Sequence, residues 1–287
     1  MSPLDVLAAS PTLFVVYVFV FGLAVGSFLN VVIHRLPKMM EAEFRQECAM
    51  LDAPEDAEPP ARPRYNLSVP RSACPSCGAQ IAAHDNIPVL SWLLLRGKCR
   101  HCGHPISVRY PAVELTTGLI SAGIALHFGY SLATLGGLLF GFVLVALFFI
   151  DADTFLLPDS LTLPLLWAGL LFNLRGIYTS LPSAVIGAMA GYLLLWSVYW
   201  LFKLVTGKEG MGYGDFKLLA AIGAWLGWAS LPIVILMSSM VGAIIGIAMV
   251  LLSRHGWGKP LPFGPYLAAA GLVTLIWGQD IAALIWH

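Results

Sequence analysis

Long apolar stretches separated by short polar segments dominate the hydrophobic and polar pattern of this chain. Four stretches contain no Asp, Glu, Lys or Arg: Val6 to Ile33, Leu115 to Ile150, Gly176 to Phe202 and Leu218 to Ser253. A membrane-spanning helix needs about 20 apolar residues, so the second and fourth stretches, each of 36 residues, must hold two helices. Turn signals divide them at Phe128-Gly129-Tyr130-Ser131 and at Trp228-Ala229-Ser230-Leu231-Pro232.

Together with the apolar segments Ser160–Leu174 and Phe263–Ile285, the pattern predicts about eight transmembrane helices. They cover approximately residues 12–34, 111–128, 132–150, 157–174, 181–203, 214–228, 231–252 and 263–285. The sixth is short, so it is expected to be tilted, partly re-entrant or lined by a water-filled cavity. The first is expected to be a true span and not a cleaved signal peptide, because its apolar run is too long and no basic region precedes it.

Composition agrees with this class of protein. Apolar residues make up 58% of the chain and charged residues 11%, with a mean hydropathy of +0.80, whereas soluble domains have about 25% charged residues. The predicted fold class is therefore an all-α polytopic membrane protein. Four tryptophans fit a belt at the outer membrane interface: Trp225, Trp228, Trp277 and Trp286.

Basic residues are distributed unevenly between the predicted loops. With eight spans and the N-terminus outside, 15 of the 16 Lys and Arg residues fall on one side of the membrane. That side comprises residues 35–110, 151–159, 203–217 and 253–262. Because cytoplasmic loops carry an excess of Lys and Arg, these segments are predicted to face the cytoplasm.

Two aspartates lie at the edges of the apolar stretches. Asp151 follows Phe148-Phe149-Ile150, and Asp215 ends the motif Gly212-Tyr213-Gly214-Asp215. An ionised carboxylate inside the membrane costs about 3 kcal/mol or more, so such an acid indicates a functional site. Two acids at the same face can share a proton and activate a water, as in aspartyl proteolysis. Alternatively, each acid favours a helix start or a loop at the membrane surface.

Asp153 and Asp159 compete with Asp151 for the first catalytic position. At helical spacing Asp153 projects about 200° away from Asp151, so the two cannot face one partner. Asp159 follows Pro158 and is typical of a helix start. The residues alone favour Asp151 as the partner of Asp215.

Residues 36–110 form the one long polar segment, and its first half is acidic. Lys38–Leu51 predicts an amphipathic helix, and the prolines at positions 54, 59, 60 and 63 predict an extended spacer. This half is expected to be a solvated insertion.

The second half carries two cysteine pairs, Cys74-Pro-Ser-Cys77 and Cys99-Arg-His-Cys102, with 21 residues between them. Two such pairs at this spacing predict a tetrahedral zinc site with Cys74, Cys77, Cys99 and Cys102 as ligands. Disulfides are not favoured on the reducing side of the membrane, and free or redox-active thiols are the alternative. His101 and His104 are further possible ligands, and Cys48 lies outside the pattern.

Short motifs in a fixed order resemble those of the type IV prepilin peptidases. From the N-terminus they are Gly26-Ser-Phe-Leu-Asn-Val-Val-Ile-His-Arg-Leu-Pro37, the two cysteine pairs, Asn86-Ile-Pro-Val-Leu-Ser-Trp92, Arg96-Gly97-Lys98-Cys99, Arg109-Tyr-Pro-Ala-Val-Glu114, Ile150-Asp-Ala-Asp153, Leu156-Leu-Pro-Asp159, Gly212-Tyr-Gly-Asp-Phe-Lys217 and Pro262-Phe-Gly-Pro-Tyr266. The resemblance covers the chain from end to end except for the acidic insertion.

The resemblance implies a bifunctional Gly-x-Gly-Asp aspartyl protease of the bacterial inner membrane, with Asp151 and Asp215 as its catalytic residues. Such an enzyme removes the basic leader from prepilin and type II secretion pseudopilin precursors, then N-methylates the exposed residue with S-adenosylmethionine. The expected organisation is a first span at 1–35, a cytosolic zinc-knuckle segment associated with methylation at 36–110, and a peptidase bundle at 111–287. Membrane lipid and the precursors are the expected partners, and no nucleic acid is expected.

The S-adenosylmethionine site is implied by the resemblance alone, because the sequence has no glycine-rich loop that would cradle a nucleotide. Its candidate residues are Gly97, within Arg96-Gly97-Lys98, and Glu114. Glu114 is expected to contact the sulfonium or the new terminal amine. The alternative is that it pairs with Arg109 at the membrane edge.

Two other classes of protein share some of these features. A secondary transporter can use two intramembrane acids as a proton relay, but it favours internal symmetry between its halves, which the sequence lacks. A zinc-bearing membrane scaffold accounts for the cysteines but not for the acids.

Overall fold

The computed structural model describes residues 3–51, 64–252 and 261–286, and these ranges are mostly helical. The helices are α1 (Pro3–Ala9), α2 (Pro11–Leu51), α3 (Leu90–Leu94), α4 (Arg109–Phe128), α5 (Leu132–Thr154), α6 (Asp159–Asn173), α7 (Leu181–Thr206), α8 (Tyr213–Leu226), α9 (Leu231–Leu252) and α10 (Gly264–Trp286). Short 3₁₀ turns lie at Ala83–Asn86 and Trp228–Ser230. No β-strand occurs in the described ranges, so the predicted all-α class is confirmed.

Within the described ranges, five helical segments are long and apolar enough to cross a membrane: Pro11–Leu51, Leu132–Thr154, Leu181–Thr206, Trp228–Met249 and Gly264–Leu284. Helices α4, α6 and α8 occupy the other three predicted positions. Because α6 has 15 residues and α8 has 14, each is shorter than the hydrocarbon core of about 30 Å at about 1.5 Å per residue. A helix lies at each of the eight predicted positions, and the number of crossings stays a prediction.

Helix α2 continues past the predicted end of the first span. A separate helix was expected to begin at Lys38, but α2 runs unbroken through Pro37 to Leu51. Proline removes one backbone N–H but holds φ near a helical value, and the 2.9 Å contact between Lys38 Nζ and His34 Nε2 bridges the proline. The predicted spacer at 54–63 lies outside the described residues, as do positions 253–260 of the last predicted cytoplasmic segment.

Contacts along the chain define two compact units. The cysteine unit consists of residues 16–122, and the aspartate unit consists of residues 1–15 and 123–287, within the described ranges. Domain boundaries were expected at 35/36 and 110/111, where the chain was predicted to enter and leave the membrane. The contacts within the structure instead place most of α2 and α4 in the same unit as the four cysteines. The functional division of the chain stays a prediction.

In the cysteine unit, α2 packs closely along α4. A Cβ atom on Gly26 would lie 2.7 Å from the Glu114 Cα atom, so only glycine allows this approach. The Asn30 side-chain amide donates to the Tyr110 carbonyl oxygen at 3.1 Å. These contacts fix the first turn of α4, and with it the position of Glu114.

In the aspartate unit, the short helix α8 forms the core. Nearly all of its residues from Asp215 to Trp225 are buried, and it packs on α7 with backbone against backbone. A Cβ atom on Gly191 of α7 would lie 2.7 Å from the Leu219 carbonyl oxygen, and Gly187 and Gly223 meet even more closely. Small residues allow this packing, so α8 is held along most of its length.

The C-terminal end of α8 is fixed by a buried amide. Asn173 donates to the carbonyl oxygens of Ala224 and Trp225, both at 2.9 Å, and accepts from the Tyr178 and Thr179 N–H groups at 3.0 and 3.1 Å. The last carbonyl groups of a helix have no partner within the helix, and Asn173 supplies one.

The expectation that Trp225 lies in an interfacial belt is wrong. Trp225 is fully buried, whereas Trp228 and Trp277 are about half exposed. Its indole N–H donates to the Leu165 carbonyl oxygen at 2.7 Å, and its ring occupies the space left by Gly169. A buried indole needs such a partner for its N–H group.

Candidate functional site

Asp151 lies in the last turn of α5 and is 4% exposed. The helix ends at Phe155, whose left-handed φ of 57° lets its N–H donate to the Asp151 carbonyl oxygen at 2.9 Å. A left-handed conformation is unusual for a bulky residue, so the chain turns sharply just after this acid. The backbone N–H of Gly264, the first residue of α10, is directed at the side chain of Asp151.

Asp215 lies in the first turn of α8 and is 7% exposed. Gly212 precedes the helix, and its backbone N–H is directed at the Asp215 carboxyl group. The motif Gly212-Tyr213-Gly214-Asp215 therefore forms the start of a helix and directs the acid into the unit interior. This placement agrees with the preference of acids for helix N-termini.

The two acids lie in one site. Their carboxyl groups are close enough to interact electrostatically. Leu157 lies against the glycine that precedes Asp215 and against the first residue of α10. A Cβ atom added to Gly214 would lie 2.7 Å from Leu157 Cβ, and one added to Gly264 would lie 3.1 Å from Leu157 Cδ1. Oδ2 of Asp151 and Oδ1 of Asp215 are buried and have no hydrogen-bond partner among the described residues. Two buried acids in one site can act as the general acid and the general base of a hydrolysis.

Asp153 and Asp159, the alternatives to Asp151 as the first catalytic acid, have different surroundings. Asp159 begins α6, as predicted, and both of its carboxylate oxygens lie 2.7 Å from Lys217 Nζ. Asp153 is exposed. Of these three acids, Asp151 is the one that is buried beside Asp215.

A chain of polar contacts holds the Gly212–Asp215 segment and was not foreseen from the sequence. Glu209 accepts from Lys203 Nζ at 2.8 Å, and Lys203 Nζ donates to Tyr199 Oη at 3.3 Å. The ring of Tyr199 in turn packs against the ring of Tyr213, with centroids 5.3 Å apart. The Lys203 ammonium group lowers the pKa of Glu209. Tyr213 belongs to the motif itself, so this chain ties α7 to the loop that carries Asp215.

The four cysteines converge in the cysteine unit. Their sulfur atoms all lie within 4.8 Å of one another, and the Sγ atoms of Cys74 and Cys102 are 3.8 Å apart. Four sulfurs at about 2.3 Å from a tetrahedral zinc would be about 3.8 Å apart. In the part of the chain that the structure describes, these four thiols form the complete candidate ligand group, which includes neither His101 nor His104. The group could hold a metal ion.

Both cysteine pairs have the same local structure. Gly78 and Gly103 have φ angles of 71° and 70°, and each donates its N–H to the carbonyl oxygen of the first cysteine of its pair at 2.9 Å. Backbone N–H groups of Cys77 and Ser76 lower the pKa of Cys74 to about 6. Such donors stabilise the thiolate, which is the form that binds metals.

The second cysteine pair is also tied to the rest of its unit. Arg100 lies within this pair and donates from Nε to Asp85 Oδ2 at 2.8 Å. The same guanidinium group lowers the pKa of Asp85. Asp85 lies in the 3₁₀ turn Ala83–Asn86, so a charge-assisted bond joins the two segments.

Gly97 occupies a tight turn beside Trp92. Its φ is 66°, its N–H donates to the Trp92 carbonyl oxygen at 2.8 Å, and its carbonyl oxygen accepts from the Ile106 N–H at 2.7 Å. A Cβ atom at this position would lie 2.8 Å from Trp92 Cζ2. The turn and the indole ring both require glycine.

Glu114 is 8% exposed in the first turns of α4. Its Oε2 atom accepts from the Val89 N–H at 2.7 Å, and Ser27 donates to the same carboxyl group. Val89 has a left-handed φ of 60°, which is rare for a β-branched residue. Glu114 therefore holds a strained segment next to α3.

The fold and this site define a class of protein, namely a helical membrane protein with a buried pair of acids and a separate four-cysteine group. Comparison with family models extends this description. Residues 20–128 match the bacterial peptidase A24 N-terminal domain, and residues 138–247 match the type IV leader peptidase family.

Curated relatives match nearly the whole chain. A protein of Aeromonas hydrophila is 62% identical over 94% of this chain and 93% of its own length. Relatives from Stutzerimonas stutzeri and Pseudomonas aeruginosa are 55% and 54% identical over 99% and 98% of this chain, and 97% and 96% of their own lengths. All three are named prepilin leader peptidase/N-methyltransferase. No solved structure matches the chain. The chain belongs to the type IV leader peptidase family, which confirms the resemblance and favours the enzyme over the transporter and the scaffold.

Proposed function

We propose that this chain cleaves the basic leader from type IV prepilins and type II secretion pseudopilins, and then N-methylates the new N-terminal residue with S-adenosylmethionine. The observation that carries this proposal is the buried pair of Asp151 and Asp215 in a member of the type IV leader peptidase family. The names of its relatives include both activities.

The proposed cleavage is an aspartyl mechanism. Two like charges in one buried site repel each other, which favours a pair that shares one proton. The ionised acid takes a proton from a water molecule as the water oxygen attacks the scissile carbonyl carbon, and the protonated acid donates to the carbonyl oxygen. Collapse of this intermediate breaks the C–N bond, and a proton from the acid pair passes to the leaving amine. The unpartnered oxygens of Asp151 and Asp215 support this role.

The proposed location is the bacterial inner membrane, with eight crossings and the acid pair toward the cytoplasm. The excess of Lys and Arg over all the segments predicted to face the cytoplasm, which include the segments of Asp151 and Asp215, supports this orientation. A precursor with a basic leader and an apolar helix would keep its leader on the cytoplasmic side. Its scissile bond would then lie at the same face as the acids. Lipid would cover the exposed apolar surface, and no nucleic-acid partner is proposed.

We propose Zn²⁺ as the metal held by Cys74, Cys77, Cys99 and Cys102. The support is the tetrahedral sulfur spacing and the backbone donors that stabilise the Cys74 thiolate. Four thiolates complete the coordination of a structural zinc and leave no open position for catalysis. The metal would therefore stabilise residues 36–110, the segment that we associate with methylation.

For S-adenosylmethionine we propose Glu114 and Gly97 as contacts. When bound, this cofactor supplies an electrophilic methyl group. Glu114 is a buried carboxylate, which fits the positive charge of a sulfonium or of a terminal ammonium group. Gly97 would contribute by keeping its turn and the Trp92 ring in place.

The test uses the purified protein in detergent with a full-length prepilin and S-adenosylmethionine. Intact-mass spectrometry of the pilin should show loss of the leader and gain of one methyl group. Without the cofactor, the leader should still be lost. A prepilin that stays uncleaved by the wild-type protein while the Aeromonas hydrophila relative cleaves it would contradict the proposal.

A further inference from the structure

The proposed function assigns no role to the segment Pro262-Phe263-Gly264-Pro265-Tyr266, where α10 begins. Its central glycine lies against an acid of the site. A Cβ atom on Gly264 would lie 2.6 Å from Oδ2 and 3.0 Å from Cγ of Asp151. Real Cβ atoms do not approach other atoms this closely, so any side chain at this position would displace the carboxyl group.

The backbone hydrogen bonds at the start of α10 direct one donor toward Asp151. The first N–H groups of a helix have no acceptor within the helix. Here Pro265 has no N–H, and the Tyr266 N–H donates to the Phe263 carbonyl oxygen at 3.1 Å. The Gly264 N–H, in contrast, is directed at the Asp151 carboxyl group.

The dipoles of α5 and α10 act in opposite directions on the Asp151 carboxyl group. Asp151 lies in the last turn of α5, where the partial negative charge of the helix end disfavours an acid. The N-terminus of α10 brings a partial positive charge to the same carboxyl group. Asp215 does not need this compensation, because it lies in the first turn of its own helix, α8.

We infer that Gly264 is the positioning residue for Asp151: its N–H orients the carboxyl group toward Asp215, and its missing side chain leaves the space that the carboxyl group occupies. The inference rests on the proposed function, because it assumes that Asp151 takes part in cleavage. It explains why the start of α10 belongs to the acid site although it lies far from both acids in the sequence.

The first test is Gly264→Ala with full-length prepilin as substrate. A displacement of about 1 Å in a catalytic group can cost about 10²-fold, so kcat for cleavage should fall about 100-fold. KM should stay within about threefold, because the added Cβ atom acts on the Asp151 carboxyl group. Methylation of a peptide supplied already cut should keep its wild-type rate. Unchanged kcat would overturn the inference.

A matched control is Gly271→Ala in the same helix. Its added Cβ atom would lie 3.1 Å from Ile222 Cδ1 and 3.3 Å from Leu144 Cδ1, so it also tightens packing but touches no acid. Cleavage by this variant should stay within about threefold of wild type. An equal loss in both variants would mean that any methyl group on α10 is harmful, and the inference would fail.

A double-mutant cycle that measures Tm tests the contact between Gly264 and Asp151 without an activity assay. Gly264→Ala should lower the Tm in the wild-type background but much less in Asp151→Ala, because the carboxyl group that meets the new methyl group is then absent. If Gly264→Ala alone does not fold, recovery of folding in the double variant supports the inference equally. The added Cβ atom also lies 3.1 Å from Leu157 Cδ1. Recovery of cleavage or stability by Leu157→Ala instead would assign the clash to the leucine and overturn the inference.

Asp151→Asn separates the inference from the proposed function. If Asp151→Asn cleaves at the wild-type rate, the proposed acid pair is wrong, and the inference falls with it. If Asp151→Asn is inactive and Gly264→Ala is fully active, the proposed function stands and the inference alone is wrong.

Discussion

The aspartate unit and the cysteine unit hold their candidate sites in different ways. In the aspartate unit, the acids lie at the ends of helices that pack backbone against backbone, as Gly191 does on Leu219. In the cysteine unit, the four thiols lie in irregular chain that is held by tight turns and by bonds such as Arg100–Asp85. Helix packing thus holds one site, while tight turns and an ion pair hold the other, which is also the proposed zinc site. Damage to either site should therefore leave the other largely intact.

The largest effect is expected from the acids. Asp151→Asn and Asp215→Asn preserve side-chain size but remove the ionisable pair, and a general acid or base typically contributes about 10²–10⁴-fold. Because a shared-proton pair fails as a unit, each variant should lose at least about 10³-fold in the initial rate of leader cleavage. Asp153→Asn is the matched control and should stay within about threefold. An inactive Asp153→Asn with an active Asp151→Asn would mean that the wrong acid was assigned.

The next largest effect is expected from removal of the metal. Elemental analysis of wild-type protein purified without chelators should give about one zinc per chain. Cys74→Ser should lose the zinc, unfold the cysteine unit in limited proteolysis, and reduce methylation more than about tenfold, because structural zinc contributes folding free energy directly.

Cys48→Ser is the control for the cysteine variants, since Cys48 is exposed on α2 and outside the thiol group. It should keep both zinc and methylation. Wild-type protein without metal, or full methylation by a zinc-free Cys74→Ser, would remove the proposed role of the metal.

A smaller and more specific loss is expected for Glu114→Gln. The amide oxygen of Gln can still accept from the Val89 N–H, so the fold of this segment should persist while the charge is lost. Methylation should fall about 10- to 100-fold with cleavage unchanged, and the pilin mass should show cleaved, unmethylated product. Gly97→Ser is a less informative variant, because its side chain would clash with Trp92 whether or not a cofactor binds. Full methylation by Glu114→Gln would mean that Glu114 has a structural role only.

The smallest effect is expected from the polar chain behind Asp215. Tyr199→Phe removes the hydroxyl group that accepts from Lys203 but keeps the ring that packs on Tyr213. A hydrogen bond of this kind contributes about 1 kcal/mol, so kcat for cleavage should fall about fivefold. Tyr192→Phe is the control, since the ring of Tyr192 packs edge-on against Phe216 at 5.9 Å and this contact is preserved. Equal rates in the two variants would show that the chain does not position the acid.

Much of this architecture could be predicted because it depends on local sequence. Apolar runs mark the helices, and the paired spacing of the cysteines predicts their convergence. Hydropathy also singled out Asp151 and Asp215, which the structure brings together. The catalytic role of this pair, and the roles of Gly97 and Glu114, stay predictions.

Features that depend on long-range packing could not be predicted. Trp225 was assigned to the membrane interface, but the space beside Gly169 and the Leu165 carbonyl group make it a core residue. The contact of Gly264 with Asp151 joins positions far apart in the sequence. In the sequence, the only sign of this contact was a glycine between two prolines at a helix start. That sign does not indicate which residue the glycine contacts.

The central claim is that cleavage and methylation are carried out at separate sites, one in each unit. The most direct test gives Asp151→Asn and Asp215→Asn two substrates, the full prepilin and a pilin peptide already cut, and measures methyl transfer by intact mass. The account predicts neither product from the full prepilin, because its α-amino group is not yet exposed, and methylation of the cut peptide within about twofold of the wild-type rate. Loss of methylation on the cut peptide by both variants, in protein that stays folded and retains its zinc, would contradict the claim.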